Sequence, residues 1–224
     1  MEHQLVTVRT GEDLAARAAD LVEKWAHAAV DDHGEFSFAV SGGRTPWAMF
    51  ADLVHRDLPW AAVTIYQVDE RVAPDGDPDR NLTHLRSSLA GVAATVRPMP
   101  VTFADLEAAA ASYAEELPEH FDLVHLGLGP DGHTASLVPG DPVLAVTDRL
   151  VAPTGPYQGH RRMTLTYPAL ARAGQLLWLV GGADKRQALA ELLAGDESIP
   201  AARVRAGRST VVADEAAVGE GSSR

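Results

Sequence analysis

The sequence contains no cysteine. That excludes a disulfide framework, thiol catalysis and Cys-ligated metal sites. No basic-then-apolar leader opens the chain, and no apolar run is long enough to span a bilayer. The expectation is a soluble, cytoplasmic protein with no membrane partner. Basic residues are also scarce: 19 stand against 31 acidic ones, for a formal charge of −12. Nucleic-acid binding normally needs a basic face, so no nucleic-acid partner is expected. An anionic small molecule stays in play, provided its cations are gathered locally. Lysine is the rarest of these cations, since Lys24 and Lys185 are the only two and every other one is arginine. Lys24 falls in an acidic helical pattern, as a solvated side chain would. Lys185 follows Gly181-Gly182-Ala183-Asp184 behind an apolar strand, which is a less ordinary place.

What the chain does have is 224 residues, 46% of them apolar. That length suits one α/β domain with a substantial core, or one large domain with a small lobe. Residues 4–9 alternate as a short strand. Leu14, Ala18, Leu21, Val22, Trp25 and Ala29 repeat at helical spacing, and Gly34 ends that helix. Apolar strands are expected over 36–40, 63–68, 121–126, 175–180 and 209–213, with helices over 47–54, 82–89, 103–117 and 184–194. Pro98 and Pro100 demote 96–101 to an edge piece. There is no internal repeat and no linker. The alternation predicts an α/β fold, with a mostly parallel, doubly wound (Rossmann-like) sheet, helices on both faces and a small additional lobe. Residues 1–218 form the expected single domain, and 219–224 read as a disordered tail.

Four expected strand ends carry polar chemistry. If the sheet is parallel, all four open on one edge, where such sheets bind ligands. The first is Ser41-Gly42-Gly43-Arg44-Thr45-Pro46, a glycine loop that runs into a helix, with Thr45 as N-cap and Pro46 as first helical residue. Its backbone N–H groups suit a phosphate; the alternative is a tight strand–helix turn. Its spacing fits neither a Walker A loop nor a dinucleotide fingerprint. The second is Asp69-Glu70-Arg71, for which the alternative is a solvated strand end. The third, Gly127 to Leu137, places Asp131, His133 and Ser136 within six residues; alone it also reads as an ordinary turn. The fourth is Gly181 to Lys185. A fifth loop carries Arg162. The set reads as a phosphate pocket (Gly42, Gly43, Thr45, Arg162, Lys185) beside an acid–base group. Histidine is the side chain suited to proton transfer near neutrality, which singles out His133, with Asp131 either orienting it or touching substrate. A serine triad fits poorly, because no Gly-x-Ser-x-Gly elbow occurs. The nine histidines are scattered without ligand spacing, so no metal is expected. His125, inside an apolar strand, reads as a core histidine.

At these residues the chain resembles the 6-phosphogluconolactonases. The resemblance lies in Ser41 to Pro46; in Asp69-Glu70-Arg71 with Asp79-Arg80-Asn81; in Gly127 to Leu137; in Arg162 to Thr166; in Gly181 to Lys185; and in Pro200-Ala201. It runs from about Gly11 to Asp214. It implies hydrolysis of 6-phospho-D-glucono-1,5-lactone to 6-phosphogluconate, in the oxidative pentose phosphate pathway, with no metal or organic cofactor. The implied partner is the phosphosugar lactone; the oligomeric state stays open, a monomer included. The implied general base is His133. Arg71 or backbone N–H groups would meet the oxyanion, and Asp69 and Asp131 would fix sugar hydroxyls or the histidine. The phosphate would sit on the Gly42–Thr45 loop with Arg162 and Lys185, and Arg44 either adds to it or faces solvent. Asn81 and Ser136 complete the implied substrate set. Two positions depart from the family pattern: Arg80, where Ser is common, and Val138, where Phe is common. Both bear on loop packing.

Two rivals remain. Glucosamine-6-phosphate deaminases resemble the chain at the glycine loop and the Gly-Pro-Asp-Gly-His run. They typically continue Ile-Ala-Phe-Asn-Glu-Pro and have Tyr at the position of Arg71. This chain reads Thr134-Ala135-Ser136-Leu137-Val138-Pro139, without the glutamate of an Asp–His–Glu relay. A non-catalytic sugar-phosphate sensor would need a DNA-binding segment, and this acidic chain begins its α/β pattern almost at once.

Overall fold

The computed structural model describes residues 1–219; the expected tail, apart from Gly219, lies outside the described residues. The chain runs β1 (Gln4–Val8), α1 (Gly11–His33), β2 (Phe36–Val40), α2 (Arg44–Leu53), β3 (Val63–Gln67) and β4 (Asp69–Arg71). It continues with α3 (Asn81–Ser88), β5 (Thr95–Arg97), α4 (Leu106–Glu115), β6 (Phe121–Gly127), β7 (Val151–Pro153) and β8 (Arg162–Leu165). The last elements are α5 (Tyr167–Leu170), β9 (Ala173–Val180), α6 (Arg186–Ala194), β10 (Arg208–Asp214) and α7 (Glu215–Val218).

Local chemistry sets these boundaries. Thr10 caps α1 by accepting the Asp13 N–H at 3.1 Å, and Glu12 and Asp13 favour its positive end. Gly34 closes it at φ 88°, a conformation that glycine adopts without strain. The fourth helix starts at Leu106 rather than at 103, because Asp105 accepts the N–H groups of Glu107 and Ala108. α2 starts one residue earlier than Thr45: Gly43, at φ 128°, takes the N-cap place, and Thr45 and Pro46 fall inside the first turn. Lys185 sits on a short 3-10 turn, Ala183–Lys185, ahead of α6.

Seven strands form a wholly parallel sheet in the order β1-β10-β9-β6-β2-β3-β5. Side chains alternate across it. Phe38, Val40, Ile65 and Leu177 pack with α1, α2 and α3 on one face. Ala39, Tyr66, Val124 and Trp178 pack with α4, α6 and α7 on the other. Burying both faces explains why these strands read as near-continuous apolar runs. The chain leaves β2 toward β3, and leaves β6 toward β9 on the opposite side. That reversal opens a crevice at the carboxyl ends of β2 and β6.

The small lobe is a three-stranded antiparallel sheet in the order β4-β8-β7. It grows out of the large one, since only Val68 separates β3 from β4, and Leu165 N–H bonds the Val68 carbonyl at 2.8 Å. Arg162 therefore stands on a strand, not in a loop. Among the described residues no helix is long and apolar enough to cross a membrane.

Candidate active site

The strand ends converge as a parallel sheet requires. One cavity is lined by Ser41 and Gly42 after β2, Asp69 and Arg71 on β4, and Asn81 at the start of α3. Gly127, Leu128, Gly129, His133 and Ala135 follow from the β6 end, with Gln158, Arg162 and Lys185 closing the ring. Asp131 and Ser136 stand behind this lining and act on it through His133 and Asp69. Gly43, Arg44 and Thr45 lie outside it; Gly43 and Arg44 are exposed on the first turn of α2.

His133 is held from three sides. Asp131 Oδ1 lies 2.5 Å from its Nδ1 and also accepts its backbone N–H at 3.2 Å. Its carbonyl accepts the Gly129 N–H at 2.8 Å. With Nδ1 facing a carboxylate, the ring hydrogen belongs on Nδ1, which leaves the Nε2 lone pair for a proton from elsewhere. Burial pushes the Asp131 carboxyl up, but hydrogen bonds and charge from His133 outweigh it and hold the group below the usual carboxylate range. Gly129 makes this geometry achievable, since a Cβ there would stand 2.0 Å from Nδ1.

Asp69 is the buried anion of the cavity. Its carboxylate accepts the Ser136 hydroxyl at 2.6 Å and Asn81 Nδ2 at 3.4 Å, and Arg162 Nη1 lies 3.8 Å away. Burial pushes its pKa up, against the pull of Ser136 and Arg162. Ser136 is fully buried and reaches a ligand only through Asp69.

Glu70, which the sequence reading names in its motif but gives no role of its own, organises its neighbours. It is fully buried and accepts the backbone N–H groups of Arg71, Asn81 and Leu82, each at 2.8 Å. It thus does for α3 what an N-cap side chain would, because Arg80 at that position makes no capping bond. Arg80 instead turns inward, 2% exposed, with Nε 3.4 Å from Glu70. The departure from the family pattern at Arg80 is thereby a counter-charge for a buried carboxylate.

Cations gather where the acidic composition requires them. Arg71 and Arg162 are direct partners across β4 and β8. Like charges opposite one another destabilise a sheet. Arg71 Nη1 donates to the Asp79 carbonyl at 2.5 Å. Arg162 is 5% exposed, its Nη2 donates to the Tyr157 carbonyl at 3.4 Å, and its Nε has no partner among the described residues. Burial lowers its pKa, yet guanidinium stays charged at neutrality. Lys185 Nζ approaches Asp184 at 3.3 Å.

Backbone strain falls in the same place. Ala135 and Gln158, both at φ 50°, are the non-glycine residues in the left-handed region among those described, and both line the cavity. Gln158 escaped the sequence reading because a single polar residue in a loop carries no pattern; Gly159 beside it was the available turn signal. His125 is buried as expected and accepts the Ser41 N–H at 3.3 Å, but its Nε2 is without a partner among the described residues. Among the described residues no group of three or more His, Asp or Glu is placed to hold a metal.

The profile of the family described as glucosamine-6-phosphate isomerases/6-phosphogluconolactonase matches residues 9–213. A 6-phosphogluconolactonase of Synechocystis is 38% identical over 180 residues, covering 74% of this chain and 75% of its own. One from Streptomyces coelicolor is 36% identical over 233 residues, covering 90% and 88%. The crystal structure of a 6-phosphogluconolactonase from Shewanella baltica superposes with a TM-score of 0.86 at 29% identity, over 95% of this chain and 98% of that one.

Proposed function

The chain belongs to the glucosamine-6-phosphate isomerase/6-phosphogluconolactonase family, and from that premise we infer that it hydrolyses 6-phosphogluconolactone to 6-phosphogluconate. One observation carries the reading to this site: Arg71, Arg162 and Lys185 line the same cavity as His133, whose Nδ1 is engaged by Asp131. That is an anion site beside a general base. It serves a substrate with a phosphate at one end and an activated ester at the other. The reading takes residues 1–218 as one catalytic domain and, on the cysteine-free composition, the cytoplasm as its compartment.

In the proposed reaction, His133 Nε2 takes a proton from water as the water oxygen attacks C1 of the lactone. Asp131 holds the Nδ1–H and stabilises the imidazolium that forms. The C1 oxyanion is met by Arg71 or a backbone N–H, and one such donor contributes about 3 kcal/mol. Collapse breaks the bond from C1 to the ring oxygen, which leaves with the proton from His133. Asp69, fixed by Ser136 and Asn81, accepts a sugar hydroxyl. The phosphate is assigned to Gly42, the residue of the Gly42–Thr45 turn that lines the cavity, near the positive end of α2, with Arg162 and Lys185. Deamination on this scaffold is disfavoured, because among the described residues Asp131 is the only carboxylate bonded to the His133 ring.

The test is a hydrolysis assay on fresh 6-phosphogluconolactone, corrected for spontaneous opening. Fast hydrolysis is expected, largely lost in His133→Ala; a variant at the parent rate removes His133 as base. A parent that leaves the lactone alone and releases ammonia from glucosamine 6-phosphate defeats the reading. Arg162→Ala and Lys185→Ala are expected to raise KM more for the phosphorylated lactone than for the unphosphorylated one. Equal effects would take both residues out of the phosphate site.

A further inference from the structure

Between β7 and β8 the chain makes a short hairpin whose tip is Tyr157-Gln158-Gly159-His160. Tyr157 and His160 bond each other through their backbones, and Gln158 and Gly159 have φ of 50° and 86°. Positive φ at both central residues is the geometry of a two-residue turn that matches strand twist. The hairpin is tied down on its outer side, where His160 Nε2 meets Asp79 Oδ2 at 3.0 Å and Val72 N–H bonds the Arg161 carbonyl at 2.9 Å. It brings one aromatic ring behind the cavity lining, against His133 and Arg162.

That ring touches both ends of the proposed chemistry. The His133 imidazole meets it edge to face, with centroids 5.3 Å apart and planes at 65°. The Tyr157 hydroxyl lies 3.4 Å from Asp131 Oδ2 and 3.5 Å from His133 Nδ1. The Arg162 guanidinium stands over the ring at 5.2 Å from its centroid, within cation–π range, and bonds the carbonyl of the same residue. We propose that Tyr157 is a positioning residue, whose ring seats Arg162 and whose hydroxyl aligns the Asp131–His133 pair, so that the phosphate end and the acid–base end of the site share one support. This rests on the roles assigned above to His133 and Arg162.

The two halves of the proposal separate experimentally. Tyr157→Phe keeps the ring and removes the hydroxyl; Tyr157→Leu removes both. Each is assayed across pH on fresh 6-phosphogluconolactone and on unphosphorylated glucono-1,5-lactone. For Tyr157→Leu, kcat is expected to fall about tenfold on both lactones, with KM rising several-fold on the phosphorylated one only. Tyr157→Phe is expected to restore that KM. Its acid limb of kcat/KM should move to higher pH, because a carboxylate relieved of one donor stabilises the imidazolium more strongly. A Tyr157→Leu enzyme with parent constants overturns the proposal. So does one whose KM rises equally on both lactones, or a Tyr157→Phe profile that superimposes on the parent while Tyr157→Leu merely melts earlier. A parent inactive on both lactones defeats the reaction assignment instead.

Discussion

Gly129→Ala is the sharpest test of the His133 geometry. Gly129 is not among the residues at positive φ, so its backbone accepts alanine. The conflict is with side chains alone. The added Cβ would stand 2.0 Å from His133 Nδ1, 2.2 Å from Cε1 and 2.6 Å from Asp131 Oδ1. Ordinary contact begins near 3.5 Å, so the ring must retreat by about 1.5 Å. The backbone cannot give instead, because Gly129 N–H bonds the His133 carbonyl and the Gly129 carbonyl accepts the Gly132 N–H. A 1 Å misplacement of a reacting group costs about 10²-fold in rate, which is about 2.7 kcal/mol in the barrier. The His133 side chain is 21% exposed and can swing outward, so stability should change little. The expected result is a kcat about a hundredfold down in the corrected lactone assay, with a near-parent melting temperature. In a His133→Ala background the same substitution meets no ring, only Asp131 Oδ1 with its histidine partner gone, and should cost little further activity. Parent kcat in Gly129→Ala refutes the geometry, and additive losses in the double variant refute the cause.

Two further predictions concern stability. Burial holds His125 down at about 3, while in the unfolded chain it titrates near 6.5. The unfolded state therefore binds the proton first: the contribution is complete above about pH 6.5 and is lost as pH falls toward 3. One proton over 1.5 pH units is about 2 kcal/mol, so urea unfolding at pH 6.5 and pH 5 should show that loss in the parent and little of it in His125→Gln; equal losses would contradict it. Glu70→Gln would turn an amide N–H toward groups that already donate to Glu70, which should remove about 2–4 kcal/mol and weaken turnover by loosening Arg71 and Asn81. A loss under about 1 kcal/mol would show that Glu70 does not organise this corner.

The layered fold was legible because both faces of the sheet are buried, so β2, β6 and β9 appear as apolar runs between helical repeats. Parallel pairing then puts four strand ends on one edge without further information. The small sheet was harder. β4 and β7 are three residues each; Leu150 to Pro153 reads as a possible strand, but β4 consists of charges, so nothing in its periodicity does. That is why Arg162 looked like a loop residue, and why its pairing with Arg71 was invisible. Thr45 misled for a different reason: a good capping side chain was available, but Gly43 reaches a φ that puts the helix start ahead of it. Glu70 was hidden in its own motif. Beside Asp69 and Arg71 it reads as a third site charge, and only the tertiary structure shows it facing the backbone of α3. Tyr157 had no sequence signal, because its partners lie 24, 26 and 5 residues away in separate elements.

Breaches of the ordinary rules concentrate around one cavity. Two arginines face each other across a sheet, and Asp69 is a carboxylate buried at the cost of a raised pKa. Arg162 Nε and Ser41 Oγ are buried without partners among the described residues. Ala135 and Gln158 occupy backbone regions that side chains avoid. α1, far from the cavity, shows none of this, with its side-chain cap, acidic first turn and glycine stop. A chain selected for stability alone would relieve each strained feature with a single substitution. The cationic part of this set suits an oxygen-rich anion: phosphate and carboxylate oxygens accept from guanidinium, lysine and hydroxyl donors, and screen the two arginines from each other. On the proposed assignment, the phosphate of the substrate would meet the two arginines while its lactone carbon reaches His133. Selectivity for a phosphorylated lactone over the bare sugar lactone would then rest on the same residues that break the ordinary rules of packing and backbone.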